Sequence, residues 1–225
     1  MEMTEPKTIF LLIACLAIVG SMGFGAYKFF QKGNLILGAE WGVMFVSTSN
    51  LTIWVFTQWA WQYEFVMYLD AFSRVAGMNL LVVFGFLAVT HNYKPSVLTD
   101  VLIFVGIGVM SALIMYVEVM DPIRPYVFFA VYYMFLPFLL ILVYKLFELG
   151  KKGLAAHMSV ATVLLTYIHS IADFYPIPGD ETNVVYNYAF LALMTWAYAY
   201  AVIYFAYSAL EQRIQSSPVR ASEHK

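Results

Sequence analysis

At 225 residues, 62% hydrophobic and 12% charged, with a mean hydropathy of +0.76, the chain lacks the polar surface of a soluble domain. A net charge of −2 with no basic run gives no footprint for nucleic acid, and the single cysteine, Cys15, excludes an internal disulfide. Polar stretches are too short for a second folded unit. The reading is one membrane domain over residues 1–210 and a polar tail over 211–225.

A helical span needs about 20 apolar residues. Such stretches fall at roughly 8–30, 36–58, 64–90, 98–119, 124–146, 155–175 and 183–209. The MEMTEPK that precedes the first has no basic n-region of a signal peptide, so that span is expected to be retained. Turn chemistry separates the spans: QKGN, HNYKPS, MDPIRP, LGKKG and PIPGDETN. Connections this short require antiparallel neighbours, and the expected fold is an all-α bundle of seven transmembrane helices. Lys28, Lys32, Lys94, Lys145, Lys151, Lys152, Arg213, Arg220 and Lys225 fall on one side, and only Lys7 and Arg124 on the other. The positive-inside rule then places the N-terminus outside and the C-terminus in the cytoplasm of a multi-pass cell-membrane protein, with the lipid bilayer as its first partner. The tail EQRIQSSPVRASEHK reads as a solvated segment, with contact to a cytoplasmic protein partner as the alternative.

Charges inside a bilayer are expensive and persist where they pair or work. The third span carries Asp70 and Arg74 at i,i+4, acid first, which is the favourable order for a helical ion pair. Counted from the outer end of that span they lie about 9–15 Å deep at 1.5 Å per residue. The sixth span adds His169, Ser170 and Asp173; the second adds Ser47, Thr48, Ser49, Asn50 and Thr52; Asn187 lies in the seventh and Asn79 deeper in the third. Together they read either as a polar cavity in the outer half or as interhelical hydrogen bonds that hold the bundle. Glu40, near the inner end of the second span, reads as an interfacial, snorkelling side chain.

No catalytic constellation emerges: there is no HExxH, CxxC, GxSxG or phosphate loop, so an enzyme is not expected. A metal site is not expected either, because His157 and His169 are twelve residues, about 18 Å, apart on one helix. The GxG pieces at Gly23–Gly25 and Gly106–Gly108 lie inside spans, where small residues serve close helix contact.

Four stretches carry a resemblance: TIFLLIACLAIVGSMGFGAYKFFQKGN, MYLDAFSRVAGMNLL, RPYVFFAVYYMFLPFLLILVYKLF and NVVYNYAFLALMTWAY. The chain resembles the microbial (type 1) rhodopsins, the second stretch being similar to their R-Y-x-D-W-x-x-T-x-P-L and the last to L-I-Y-N-x-x-D-x-x-x-K. In that alignment Tyr68 and Asp70 take the places of the motif's Tyr and primary counterion. Met67 replaces the Arg, Ala71 the ring-stacking Trp, Arg74 the Thr and Leu81 the proton donor. Met194 stands where the family has the lysine that binds retinal, and Phe190 at its second carboxylate; Lys28 and Lys145 are poor substitutes. The W-x-x-Y-P of the sixth helix reads Thr166, His169 and Ser170. The resemblance therefore implies an opsin-related, retinal-free member, with covalent retinal excluded at Met194 and no cofactor required. It also implies a homo-oligomer. Arg74 would supply, from within the same helix, the positive charge lost with the Schiff base.

These readings lead to a light-independent membrane protein that binds a ligand or partner, in a sensory role, through Asp70, Arg74, His169, Asp173, Tyr68 and Asn187. Two alternatives stay open. One is a light-independent ion or proton channel or transporter using the Asp70–Arg74–His169 network; the other is a noncovalent binder of retinal or another apocarotenoid.

Overall fold

The computed structural model describes residues 5–90, 96–175, 177–180 and 182–216. Every regular element among them is helical: α1 (Pro6–Gln31), α2 (Leu35–Thr57), α3 (Ala60–Phe72), a π-helical segment (Ser73–Leu81), α4 (Val82–Thr90), α5 (Val97–Tyr116), a 3-10 turn (Glu118–Met120), α6 (Arg124–Glu148), α7 (Lys152–Ile171) and α8 (Tyr188–Gln215). Lys94, Arg220, Lys225 and most of the expected tail lie outside the described residues.

Five helices are long and apolar enough to cross a bilayer, namely α1, α5, α6, α7 and α8. Ala60–Val75 and Met78–Leu87, bent by 43° about the π-segment, form a sixth candidate when taken as one span. The protein is thus a multi-pass membrane protein. At 23 residues α2 is long enough, about 34 Å at 1.5 Å per residue, but Glu40 and the run Ser47–Asn50 dilute its apolar character.

Local chemistry sets the helix ends. Gly33 and Gly150, both at φ +70°, close α1 and α6 with the same pair of backbone bonds. In α1 these are Gly33 N to Phe30 O and Asn34 N to Phe29 O; in α6 they are Gly150 N to Phe147 O and Lys151 N to Leu146 O. Asn34 then caps α2 by accepting from Leu37 N at 3.1 Å. At the other end of the bundle the last two spans depart from expectation. The sixth stops at Ile171 and the seventh starts only at Tyr188, so Asp173 and Asn187 lie outside the helices that were to carry them. The cause is local competition for backbone donors: Asn183 accepts from Val185 N and Tyr186 N, and Asn187 from Phe190 N. In the opposite sense, α8 runs five residues into the expected tail, and Glu211 is ion-paired with Lys32 rather than solvated.

The helices close into a ring. α1 packs between α2 and α8, α7 between α6 and α8, α3 against α2 and α5, and the π-segment against α6. We call the end that carries the N-terminus the N face and the end that carries Gln215 the C face. Toward the C face an aromatic seam joins α1, α2 and α8: Phe29 meets Trp41 at 4.9 Å, Tyr204 at 5.3 Å and Tyr207 at 5.0 Å. Residues facing outward are also apolar, as on α5 with Leu98, Val101, Leu102 and Val105, which suits a lipid-facing surface.

Close approach in the seam depends on glycine. A Cβ on Gly25 would sit 2.1 Å from Trp41 Cδ1, whereas one on Gly20 of the same helix meets nothing within 4 Å. Gly25→Ala is therefore expected to destabilise by about 1–3 kcal/mol through overpacking. Gly20→Ala should be neutral or stabilising by up to about 1 kcal/mol. Thermal unfolding in detergent separates the two, and equal melting temperatures would show that the seam is not tight.

Candidate functional site

Arg74, at the second position of the π-segment, is the hub of the polar interior. Its Nη1 lies 3.6 Å from Asp70 Oδ2 one turn earlier, and its Nη2 pairs with Asp173. The guanidinium also sits 4.0 Å from the ring centre of Phe128 on α6. Asp173 stands just past the last turn of α7, at the negative end of that helix dipole, where a carboxylate gains from a cation partner. With both acids ionised the cluster carries one negative charge in excess.

The cluster opens on a central cavity of about 30 Å³, room for one or two water molecules. Asp70, Ser73, Arg74 and Asn79 of the third span line it, with Tyr132, His169, Trp196 and Tyr200 opposite. His169 Nδ1 is 2.8 Å from the Leu165 carbonyl, and a carbonyl only accepts, so the hydrogen resides on Nδ1. Its ring stacks on Tyr132 at 4.0 Å. Thr166 donates to Thr162 O, so Tyr132 OH must donate to Thr166 Oγ1, at 2.9 Å. Among the described residues Trp196 Nε1 is buried without a partner, and Trp196 is one of the side chains that line this space.

Two readings of the sequence require correction. Glu40 is not interfacial: it is 0% exposed, because its face of α2 turns toward the third span, where Ser73 Oγ lies 3.2 Å from its Oε1. Its other oxygen has no partner among the described residues. Met194 does not face the interior. It is 37% exposed on the outside of α8, while the cavity-facing residues of that helix are Trp196, Tyr200 and Ile203 at i, i+4 and i+7. A lysine at 194 would point away from the cavity.

Of the other expected site residues, Asp70, Arg74, Asp173 and His169 are gathered at or beside the cavity. Tyr68 turns away, donating to Gly108 O on α5 at 3.1 Å and stacking on Tyr116. Asn187 is spent on capping α8, and Phe190 packs edge-on against Phe10 of α1. The contributions of Tyr132, Trp196 and Tyr200 had a signal in the spacing on α8 and in the Tyr132–Tyr133 pair, but aromatic residues on an apolar helix read equally as packing. Among the described residues no group of three or more His, Cys, Asp or Glu could hold a metal. Toward the C face the cavity gives way to Val82, Phe86, Leu139 and Ile203, all at most 3% exposed. Beyond that layer Asn34 Nδ2 donates to Tyr207 OH and Gly85 O, beside the Lys32–Glu211 pair.

No family model matches the chain, nor does any curated protein or solved structure.

Because Arg74 serves two acids, the single changes should differ. Asp70→Asn leaves Arg74 with Asp173. Arg74→Met leaves two carboxylates facing each other and should cost about 3–5 kcal/mol, the usual penalty for stripping one side of a buried pair. Neutralising Asp70, Arg74 and Asp173 together should recover most of that loss. Melting temperatures in detergent test the ranking, and equal losses for the two singles would remove Arg74 from its central place.

Proposed function

We propose that this chain is a light-independent ion-conducting or ion-transporting protein of the cell membrane. It crosses seven times, with α2 and the bent third span included, and its N face lies outside. The charge asymmetry supports that orientation: among the described residues Lys28, Lys32, Lys145, Lys151, Lys152 and Arg213 lie toward the C face, against Lys7 and Arg124 on the other. The observation that carries the function is the size and lining of the central cavity. At about 30 Å³ it is roughly a tenth of the smallest typical ligand pocket, about 300 Å³. It matches water or a small ion, not retinal or an apocarotenoid. The adjoining Asp70–Arg74–Asp173 cluster, with both acids ionised, carries one surplus negative charge that favours a cation.

Access is one-sided. Asp173 reaches the N-face surface with its side chain 24% exposed, while the apolar layer at Val82 and Phe86 closes the opposite side. An ion entering from outside meets Asp173 and Asp70 first, then the cavity. Leaving on the other side requires the layer and the Lys32–Glu211 pair to part. That arrangement suits gated or gradient-coupled movement. Such movement calls for no pigment, and the inward face of α8 carries Trp196 and Tyr200, neither of which supplies an amine.

Purified protein in liposomes should pass a monovalent cation or protons down a gradient, at the same rate in light and dark with retinal added. Asp70→Asn, which removes the surplus negative charge and leaves Arg74 paired with Asp173, should slow that flux about tenfold or more, equivalent to about 1.4 kcal/mol of barrier. Wild-type liposomes that leak no faster than empty ones, for every cation offered, would end this reading. A light-driven component would return the chain to the pigments.

A further inference from the structure

Glu40 is the one acid in the fully buried set among the described residues, and the ion cluster does not use it. Its carboxyl lies between α2 and the third span, next to Ser73, which is itself a wall of the cavity. The titratable and charged groups that line this cavity, behind Ser73, are Asp70 and Arg74 on the third span, Tyr200 on α8, Tyr132 on α6 and His169 on α7. α1 packs against α2 with Met22 and Phe29, and its buried titratable side chain is Cys15. Among the described residues no cation touches the carboxyl, Oε2 has no partner, and Oε1 has only the Ser73 hydroxyl.

On the reading of the chain as an ion path, we propose that the ion is the proton and that Glu40 is the site that binds it. One carboxyl, one hydroxyl and a thioether make no shell for a metal cation, which takes several oxygens, but they suffice for a hydrogen. Ser73 Oγ has two acceptors within reach, Glu40 Oε1 at 3.2 Å and Met44 Sδ at 2.8 Å, and this lets the Ser73–Glu40 bond run in either direction. With Glu40 ionised, the serine hydroxyl donates to Oε1. When a hydronium in the cavity gives a proton to Ser73 Oγ, the serine's own hydrogen passes to Oε1, leaving water behind and a neutral carboxylic acid. The acid then donates back to Oγ, and the serine hydrogen turns to the sulfur, a weak acceptor. Only O–H bonds form and break, and charge is conserved at each step.

The test uses the full chain in liposomes carrying an internal pH dye, with potassium and valinomycin to clamp the voltage. Glu40→Gln keeps the shape and still accepts from Ser73, and should cut proton flux at least tenfold. Glu40→Asp should retain part of it, and Ser73→Ala should slow it. A second readout does not depend on transport: infrared difference spectra after a pH jump should show a protonated carboxyl band in wild type. That band should shift in Glu40→Asp, vanish in Glu40→Gln and persist in Asp70→Asn. Proton flux that survives Glu40→Gln, or a carboxyl band that follows Asp70 instead, overturns the assignment while leaving an ion path in place. Sodium or potassium flux without proton flux in wild type overturns it too. Absence of any flux in wild type removes the ion path itself, and the infrared arm then still decides whether Glu40 exchanges a proton. If Glu40→Gln fails to fold, Glu40→Asp and the wild-type spectrum carry the same decision.

Discussion

A guanidinium cannot lie inside an apolar bundle without counter-charges, and much of this interior follows from how Arg74 obtains them. It takes one from its own helix, Asp70, and the other from a residue 99 positions later, Asp173. To deliver the second, the chain leaves α7 just past Ile171. The ring of Phe128 covers the guanidinium from α6. Three elements thus lean on one side chain, and their polar groups converge without filling the space between them. The residual cavity is the geometric remainder of that convergence.

The two ends of the bundle are built on different physics. At the N face, ionised groups meet water and the polar interior reaches the surface. At the C face, interlocked aromatic rings, glycine contacts and one ion pair draw α1, α2 and α8 together. Phe86 bridges the two regimes, packing edge-on against Phe138 and Tyr207. Along the third span the inward face runs Asp70, Arg74, Met78, Val82, Phe86, so one helix passes from charged to wholly apolar in four steps. The polarity gradient lies along the axis of the bundle, not across its surface.

Much of this was legible in the chain. Apolar length located the helices to within a few residues, and the KGN and LGKKG punctuation marked turns that the structure closes with glycine at positive φ. The i,i+4 spacing of Asp70 and Arg74 foretold their contact. What was not legible has a common cause. In a soluble protein the polar face of a helix marks its outside, but here lipid-facing and core-facing residues are equally apolar, so pattern does not say which way a side chain points. Glu40 was therefore placed at the interface, though it is buried, and nothing in the sequence marked Met194 as facing outward. Asp173 was named as a site residue, yet its meeting with Arg74 depends on helix packing that no local signal encodes.

The π-segment has a further consequence for how this chain can vary. Its i→i+5 bonding places more residues in each turn than an α-helix needs, so Ser73–Leu81 stores slack in the middle of a span. Loss of one residue in an ordinary transmembrane helix swings everything beyond it to a new azimuth. Loss of one here can be absorbed by converting a wide turn to a normal one, with Asp70 on one side and Phe86 on the other keeping their neighbours. The third span is thus the place in the bundle where length can change while both the charged half and the apolar half stay in register.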